Sequence, residues 1–233
     1  MAQALLDRVV VVTGGFGALG RALAGVLVEQ GARVALVDLV HPGAGTQGTD
    51  RTLLIGGVDL ARPGAADEAF AQVVQQWQRI DALVNAAGGF AWETVADGSL
   101  DTWDRLYTMN LRSAVAASKA ALPHLIAGGA GRIVNIGALA AAKAAAGMGA
   151  YAASKAGVTR FTEALAEELK DHGITVNAVL PSIIDTPANR ADMPQAEFDR
   201  WVTPKALARV VAFLLSDDAA PITGACLPVA GRV

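Results

Sequence analysis

A tyrosine and a lysine four residues apart are the first residues in this sequence equipped for chemistry. Tyr151 and Lys155 lie in the run GMGAYAASKAGVTRF, which is typical of a helix. Positions i and i+4 share one helix face, so the phenol and the ammonium can point into one site. The ammonium should lower the Tyr151 pKa from about 10, giving a proton donor and acceptor. A core tyrosine beside a solvated lysine is the alternative.

A glycine-rich turn near the start of the chain predicts a dinucleotide site. Residues 8–12 are typical of a strand, residues 18–30 of a helix and residues 33–38 of a second strand. Between the first two, Gly15, Gly17 and Gly20 form the pattern GxGxxG, and Asp38 ends the second strand. Such turns bind a pyrophosphate, and such an acid accepts ribose hydroxyls and repels a 2′-phosphate. We therefore expect NAD(H) to be favoured over NADP(H), with an ordinary tight turn as the alternative.

The rest of the chain alternates strands with helices, which predicts a parallel sheet covered on both faces. Strands are predicted at residues 53–55, 81–85, 132–136, 174–180 and 225–229, and helices at 65–77, 99–125, 151–172 and 204–215. The glycine-rich stretch 41–51 predicts a loop in place of a crossover helix. The expected fold class is α/β, a Rossmann-type doubly wound parallel sheet of about seven strands. We expect a single domain over residues 1–233, with a short substrate lid around residues 185–203.

Composition and charge argue against several classes of partner. Hydrophobic residues make up 53% of the chain and charged residues 18%, which suits a large core. The net charge is −3 and the basic residues are scattered, so neither nucleic acid nor a membrane is expected as a partner. Cys226 is the only cysteine, and His41, His124 and His172 lie far apart, so we expect no disulfide and no metal. With no signal peptide or membrane span in the pattern, we expect a cytoplasmic protein acting on a small molecule.

Six motifs in order resemble the classical short-chain dehydrogenase/reductase family along nearly the whole chain. They are TGGFGALG at 13–20, DL at 59–60, NAAG at 85–88, Asn110, Tyr151 with Lys155, and PSIIDT at 181–186. The resemblance implies that Tyr151 is the general acid/base and that Lys155 lowers its pKa and holds the nicotinamide ribose. It also implies that Asn110 anchors a proton-relay water, with a structural role for this asparagine as the alternative.

The same resemblance assigns cofactor contacts to the glycine turn, the strand ends and the loop after the sixth strand. The implied residues are Gly14, Gly17, Leu19, Gly20, Asp38, Asp59, Leu60, Asn85, Ala86, Gly88, Tyr151, Lys155, Pro181, Ile184 and Thr186. For the last three, a plain loop bounded by proline is the alternative. The family also implies a homodimer or homotetramer, packed through the helices predicted at 99–125 and 151–172. Their small residues would suit packing inside a monomer equally well.

Three positions depart from the family pattern. Ala18 replaces the middle glycine of the dinucleotide motif, and Ser182 replaces the glycine of PGxxxT. Ala138 stands where most members have a catalytic serine, which donates a hydrogen bond to the substrate carbonyl. Loss of one such donor costs about 3 kcal/mol in the transition state. Ala138 therefore points away from simple ketones and towards a conjugated ring, which spreads the incoming charge over several atoms.

The segment LPSIIDTPANRADMPQAEFDRW resembles dihydropteridine reductase, a divergent member of the same superfamily that also lacks the serine. We therefore expect Phe90, Ala138, Met148 and Trp201 to line a substrate site, with Trp92 beside them, unless the large side chains are core residues. The expected reaction is NADH-dependent reduction of a conjugated C=N or quinonoid, dihydropterin-like substrate. Carbonyl or 3-oxoacyl reduction, alcohol oxidation, and dinucleotide binding without catalysis are the alternatives.

Overall fold

Runs of valine, leucine and isoleucine form the parallel sheet at the centre of the molecule. The computed structural model describes residues 4–233. The sheet has seven strands in the order β3-β2-β1-β4-β5-β6-β7, and every pairing is parallel. The strands are β1 (Val9–Thr13), β2 (Arg33–Val37), β3 (Thr52–Ile55), β4 (Ala82–Asn85), β5 (Arg132–Ile136), β6 (Thr175–Pro181) and β7 (Cys226–Val229). The predicted single-domain α/β fold is confirmed.

Helices cover both faces of the sheet. Within the described residues they are α1 (Ala18–Glu29), α2 (Ala65–Trp77), α3 (Leu100–Tyr107), α4 (Ser113–Gly128), α5 (Gly149–Leu169), α6 (Pro187–Asp192) and α7 (Pro204–Leu215). Alternate strand residues point to opposite faces, so Val9 and Val11 join one core and Val10 and Val12 the other. The first core contains residues of α2, α4 and α5, and the second contains residues of α1 and α7. No helix among the described residues is long and apolar enough to cross a membrane.

The connection between β2 and β3 contains no helix, as its glycine-rich sequence predicts. Parallel neighbours are usually joined through a helix, so this crossover is unusually bare. Residues 43–48 are exposed, and a bridge between Thr49 and Thr52 closes the loop. Leu39 and Val40, which follow β2, remain 63% and 57% exposed. The sheet is therefore thinly covered at its β3 end.

The helix predicted over residues 99–125 is interrupted, so the prediction of one continuous α-helix is wrong. Helix α3 begins after Ser99, whose hydroxyl accepts a hydrogen bond from the Asp101 N–H. Residues Thr108–Arg112 then form a π-helical turn before α4 continues from Ser113. Asn110 lies in this turn, and its side chain bonds both backbone groups of Gly89. Such turns occur frequently at functional sites.

Candidate active site

A cleft of about 1010 Å³ opens where the strand order reverses, between β1 and β4. Ligands of open α/β sheets bind at this position. The structure brings together most of the residues predicted to contact the cofactor. Those lining the cleft are Gly14, Gly17, Leu19, Gly20, Asp38, Asp59, Leu60, Ala86, Gly88 and Thr186. The other predicted contacts are not part of this lining: Asn85, Tyr151, Lys155, Pro181 and Ile184.

Two glycines of the turn are required by close backbone contacts. Gly14 has a φ of +65°, and a Cβ there would lie 2.8 Å from the backbone nitrogen of Ala87. A Cβ at Gly20 would lie 2.7 Å from the Gly15 Cα. The turn leads into the N-terminus of α1, which has no side-chain cap and no acid in its first turn. This arrangement fits a dinucleotide pyrophosphate, because helix N-termini attract anions.

Two of the carboxylates that line the cleft are Asp38 and Asp59. Asp38 accepts hydrogen bonds from the backbone N–H groups of Phe16 (2.9 Å) and Val40 (3.2 Å). Asp59 accepts one from the backbone N–H of Ala61 (2.9 Å). Asp38 is thus fixed between the glycine turn and the loop that follows β2. The ribose-binding role of Asp38 stays a prediction.

Lys155 and Asn110 meet beside Gly88, at the end of β4. Lys155 is 6% exposed, and its ammonium donates to the carbonyl oxygen of Ile136 (2.8 Å). A Cβ at Gly88 would lie 2.6 Å from Asn110 Oδ1 and 3.3 Å from Lys155 Nζ. Glycine at position 88 therefore lets the lysine and the asparagine approach the edge of the cofactor cleft.

The Asn110 side chain links the π-helical turn to the loop after β4 and to helix α5. Its Oδ1 accepts from the Gly89 N–H (2.8 Å), and its Nδ2 donates to the Gly89 carbonyl (3.1 Å) and to Ser154 Oγ (2.9 Å). Ser154 Oγ in turn donates to the Tyr151 carbonyl oxygen (2.7 Å). These bonds give Asn110 a structural role, while the relay role stays a prediction. The sequence reasoning missed Ser154, although a residue three positions after Tyr151 lies on the same helix face.

Burial determines the pKa of both Tyr151 and Lys155. Desolvation raises the pKa of the Tyr151 phenol to about 12 and lowers that of the Lys155 ammonium to about 8. The expectation that Lys155 lowers the Tyr151 pKa is therefore wrong. The lysine donates to Ile136 instead of the phenol, and desolvation dominates. Tyr151 is a protonated donor at neutral pH, and Lys155 loses its proton in a mildly alkaline range.

The predicted substrate residues fall into two groups. Phe90 is 52% exposed and meets the Tyr151 ring edge to face, with centroids 4.9 Å apart. Ala138 follows β5 and is buried, and Met148 immediately precedes α5. Trp201, in contrast, is only 6% exposed and packs against Phe198, so little of its ring remains for a substrate. The substrate roles of all four residues stay predictions.

Trp92 connects the loops that follow β4 and β5. Its Nε1–H donates to the Ala146 carbonyl oxygen (3.0 Å), and its ring lies against Gly147, which has a φ of +74°. The Glu93 N–H donates to the Gly147 carbonyl oxygen (2.9 Å). Trp92 nevertheless remains 61% exposed. The loop leading into α5 is therefore attached to the segment that carries Phe90.

The loop after β6 forms the base of the predicted lid. Pro181 ends β6, and Ser182 Oγ donates to the Ala230 carbonyl oxygen (2.6 Å). Ile184 pairs with Val202 in an isolated bridge, which joins the two ends of the segment. The Thr186 hydroxyl caps α6 by accepting from the backbone of Asn189 (3.2 Å). The lid base is thus held in place by backbone pairing.

Asn85 faces the protein interior and not the cleft. It is 3% exposed, and its Nδ2 donates to Asn135 Oδ1 (2.8 Å) and Ser118 Oγ (3.0 Å). Asn135 continues the network through Thr162 (2.9 Å). The Asn85 side chain therefore links β4 to β5 and α4, and any contribution to cofactor binding would come from its backbone.

Comparison with known proteins decides the family. The sequence profile described as short chain dehydrogenase matches residues 8–197. The chain belongs to this family. The family binds NAD(P)(H), and the protein is an oxidoreductase.

Two relatives and one solved structure resemble the whole chain. A 2-(S)-hydroxypropyl-CoM dehydrogenase of Xanthobacter autotrophicus is 31% identical, and the match covers 99% of this chain and 98% of the relative. A 3-oxoacyl-[acyl-carrier-protein] reductase of Vibrio cholerae is 32% identical, with 97% of each chain covered. The crystal structure of 3-ketoacyl-(acyl-carrier-protein) reductase from Brucella melitensis complexed with NADH has 28% identity and a TM-score of 0.90. That match covers 98% of this chain and 99% of the other.

Proposed function

We propose that the protein interconverts a secondary alcohol and the corresponding ketone, with NAD(H) as hydride carrier. The observation that carries this proposal is the placement of Tyr151 one helical turn before Lys155 on α5. The phenol ring packs against Phe90, which follows β4, and the ammonium donates to Ile136 at the end of β5. By their names, one relative oxidises a hydroxyalkyl group and another reduces a 3-oxoacyl group. Both are reactions between a hydroxyl and a carbonyl, so they support this substrate class.

The bound nicotinamide supplies or accepts the hydride, and residues of this chain handle the proton. In reduction, the carbonyl oxygen gains negative charge as hydride arrives, and an alkoxide is far more basic than a phenolate. Tyr151, whose pKa is about 12, keeps its proton until that charge develops and then donates it. Lys155 is buried beside the site and holds an ammonium below pH 8, which provides the next proton. Phe90 positions the Tyr151 ring by edge-to-face contact.

NAD(H) is the cofactor that Asp38 favours in this proposal. Two backbone N–H groups hold the Asp38 carboxylate at the cleft, where it would accept ribose hydroxyls and repel a 2′-phosphate. We expect a much lower KM for NADH than for NADPH in steady-state kinetics. Asp38→Asn should narrow that gap, because it removes the charge and keeps the shape. Equal KM values in the wild-type protein would contradict the preference.

Ala138 favours a second candidate, the reduction of a conjugated C=N or quinonoid ring. A methyl group donates no hydrogen bond to a ketone oxygen, and Ala138 is only 4% exposed. A conjugated ring spreads the charge and can depend on Tyr151 alone. Phe90 and Trp92 add exposed aromatic surface near the acid. The resemblance to dihydropteridine reductase rests on the sequence segment alone, and the relatives named above carry other activities.

One set of assays separates the two candidates. NADH oxidation is followed with acetoacetyl-CoA, cyclopentanone and quinonoid dihydropterin, using wild-type protein, Ala138→Ser and Tyr151→Phe. For a ketone reductase, Ala138→Ser should raise ketone turnover at least tenfold, as part of the ~10²–10³ that one such donor contributes. Turnover of dihydropterin alone, with no gain in Ala138→Ser, would favour the second candidate.

Tyr151→Phe tests the proton donor itself and keeps the ring against Phe90. Its turnover should fall by about 10²–10⁴ while NADH still binds, because general acid catalysis contributes on that scale. A variant as active as the wild type would remove Tyr151 from the mechanism under either candidate. Absence of turnover by the wild-type protein on every substrate, with NADH bound, would favour the non-catalytic alternative.

A further inference from the structure

Arg105 is the one cation among the described residues that line the cofactor cleft. It lies in the last turn of α3. The other charged residues of that lining are Asp38, Asp59 and Asp104, all acidic. Arg105 is therefore the one charged side chain of this lining that could attract the diphosphate of a dinucleotide.

The Arg105 guanidinium has no partner within residues 4–233, in either hydrogen bonds or ion pairs. Two other exposed arginines have partners, since Arg62 pairs with Glu68 and Arg190 pairs with Asp185. Arg112 and Arg209 are exposed and, like Arg105, have no side-chain partner among the described residues, but neither of them lines the cleft. Asp104 directly precedes Arg105, and adjacent helix positions do not face each other. Arg105 therefore offers unused N–H donors to the cleft.

A cation that lines this cleft would complement the negative charge of a dinucleotide. The glycine turn and the N-terminus of α1 line the same cleft and suit a diphosphate, but a helix N-terminus supplies only about half a positive charge. The diphosphate of a dinucleotide carries two negative charges. A guanidinium matches phosphate oxygens with paired N–H donors, which are among the stronger hydrogen bonds in proteins.

We propose that Arg105 binds the diphosphate of the nicotinamide cofactor from α3, while the glycine turn binds it from α1. The inference rests on the cofactor use of the proposed function. It makes Arg105 a binding residue that the sequence motifs do not identify, because α3 carries no dinucleotide signature. Arg105 takes no part in the proton transfer assigned to Tyr151.

Binding measurements without substrate test the proposal. Dissociation constants for NADH, ADP and adenosine are measured by fluorescence titration and competition, with wild-type protein, Arg105→Ala and Arg105→Lys. Arg112→Ala is the matched control, because Arg112 is an exposed arginine outside the cleft lining. Arg105→Ala should weaken NADH and ADP about tenfold, the size of one charge-assisted hydrogen bond, and leave adenosine within about twofold. Arg105→Lys should fall between Arg105→Ala and the wild type, and Arg112→Ala should match the wild type.

The salt dependence of NADH binding is a second measurement, and it would not change if Arg105 had only a structural role. Added sodium chloride should weaken NADH binding to the wild type more than to Arg105→Ala, because one ionic contact has been removed. Unchanged NADH and ADP affinities in Arg105→Ala would overturn the proposal, and so would an equal loss for adenosine. Wild-type protein that fails to bind NADH would overturn it together with the proposed function. Turnover that fails on every substrate while these affinities behave as expected would overturn only the proposed function.

Discussion

Of Tyr151 and Lys155, the lysine has the pKa that lies nearer to neutral pH. The Lys155 side chain is buried, its ammonium donates to Ile136, and desolvation lowers its pKa to about 8. Below that value the lysine is charged, and above it the lysine is neutral. The neighbouring Tyr151, with a pKa of about 12, stays protonated through the whole interval. Between pH 8 and pH 12, Lys155 therefore loses its positive charge while Tyr151 keeps its proton.

We expect kcat/KM for ketone reduction to be flat below pH 8 and to fall about tenfold per pH unit above it. The fall follows from losing the Lys155 ammonium, which donates hydrogen bonds and supplies protons. Alcohol oxidation should change in the opposite direction over the same interval. Lys155→Arg, if it retains activity, should move the fall to higher pH, because a guanidinium keeps its charge. A profile flat to pH 10 in the wild type would contradict this role for Lys155.

Among the elements, the strands were predictable and the π-helical turn was not. Runs of β-branched residues, as in residues 9–12 and 132–136, predict strands, because such side chains pack well on the pleated surface of a sheet. The stretch 99–125 repeats apolar residues at helical spacing, and a single π turn hardly disturbs that spacing. What selects the turn is the bonding of Asn110 to Gly89, a contact between segments 21 residues apart. Local sequence does not encode such a contact.

Ser154→Ala tests the link between the π-helical turn and α5. The change leaves Asn110 Nδ2 without its bond to Ser154, so we expect a loss of about 1–2 kcal/mol in the free energy of unfolding and a lower kcat. Urea denaturation and steady-state kinetics measure the two effects. Ser216→Ala is the control, since Ser216 is also buried but donates to Phe213, at the end of α7. An equal loss of kcat in both variants would rule out a specific role for Ser154.

Trp92→Ala tests the attachment between the loops after β4 and β5. It removes the hydrogen bond to Ala146 and the ring over Gly147, so the loop before α5 should open more often. Lys143 is exposed in that loop, and trypsin cleavage after it should accelerate several-fold, measured by mass spectrometry over time. Phe213→Ala is the control for loss of a large, partly exposed aromatic side chain, because Phe213 lies on α7 and not in either loop. Cleavage at the wild-type rate in Trp92→Ala would show that backbone contacts alone hold the loop.

At the scale of the molecule, the order of motifs along the chain was enough to predict the sheet and the glycine turn. It was not enough to predict the pKa of Tyr151, because desolvation depends on everything packed around the phenol. It also missed Arg105, which reaches the cleft only because α3 folds against it. Trp201 is a similar case, since its ring packs against Phe198 and is buried.

We propose a homodimer or homotetramer packed through α3, α4 and α5. Leu100, Tyr107, Val115 and Ile126 leave large apolar side chains exposed along α3 and α4, by 38–80%. Such exposure along neighbouring helices is typical of subunit interfaces. Light scattering after size exclusion should give at least twice the monomer mass of 23.8 kDa. Val115→Glu should lower that mass and Leu6→Glu should not; a monomeric wild type would refute the proposal.

The helix-free loop between β2 and β3 should also tolerate the insertion of a peptide. Residues 43–48 are exposed, and a side chain at Gly45 would meet nothing within 4 Å. Exposed loop tips with few backbone bonds tolerate insertions best. A peptide epitope placed after Gly45 should leave the melting temperature within a few degrees of the wild type, whereas the same epitope after Gly137, under Leu180, should prevent folding. This loop is therefore the natural attachment point for a label or a surface tether.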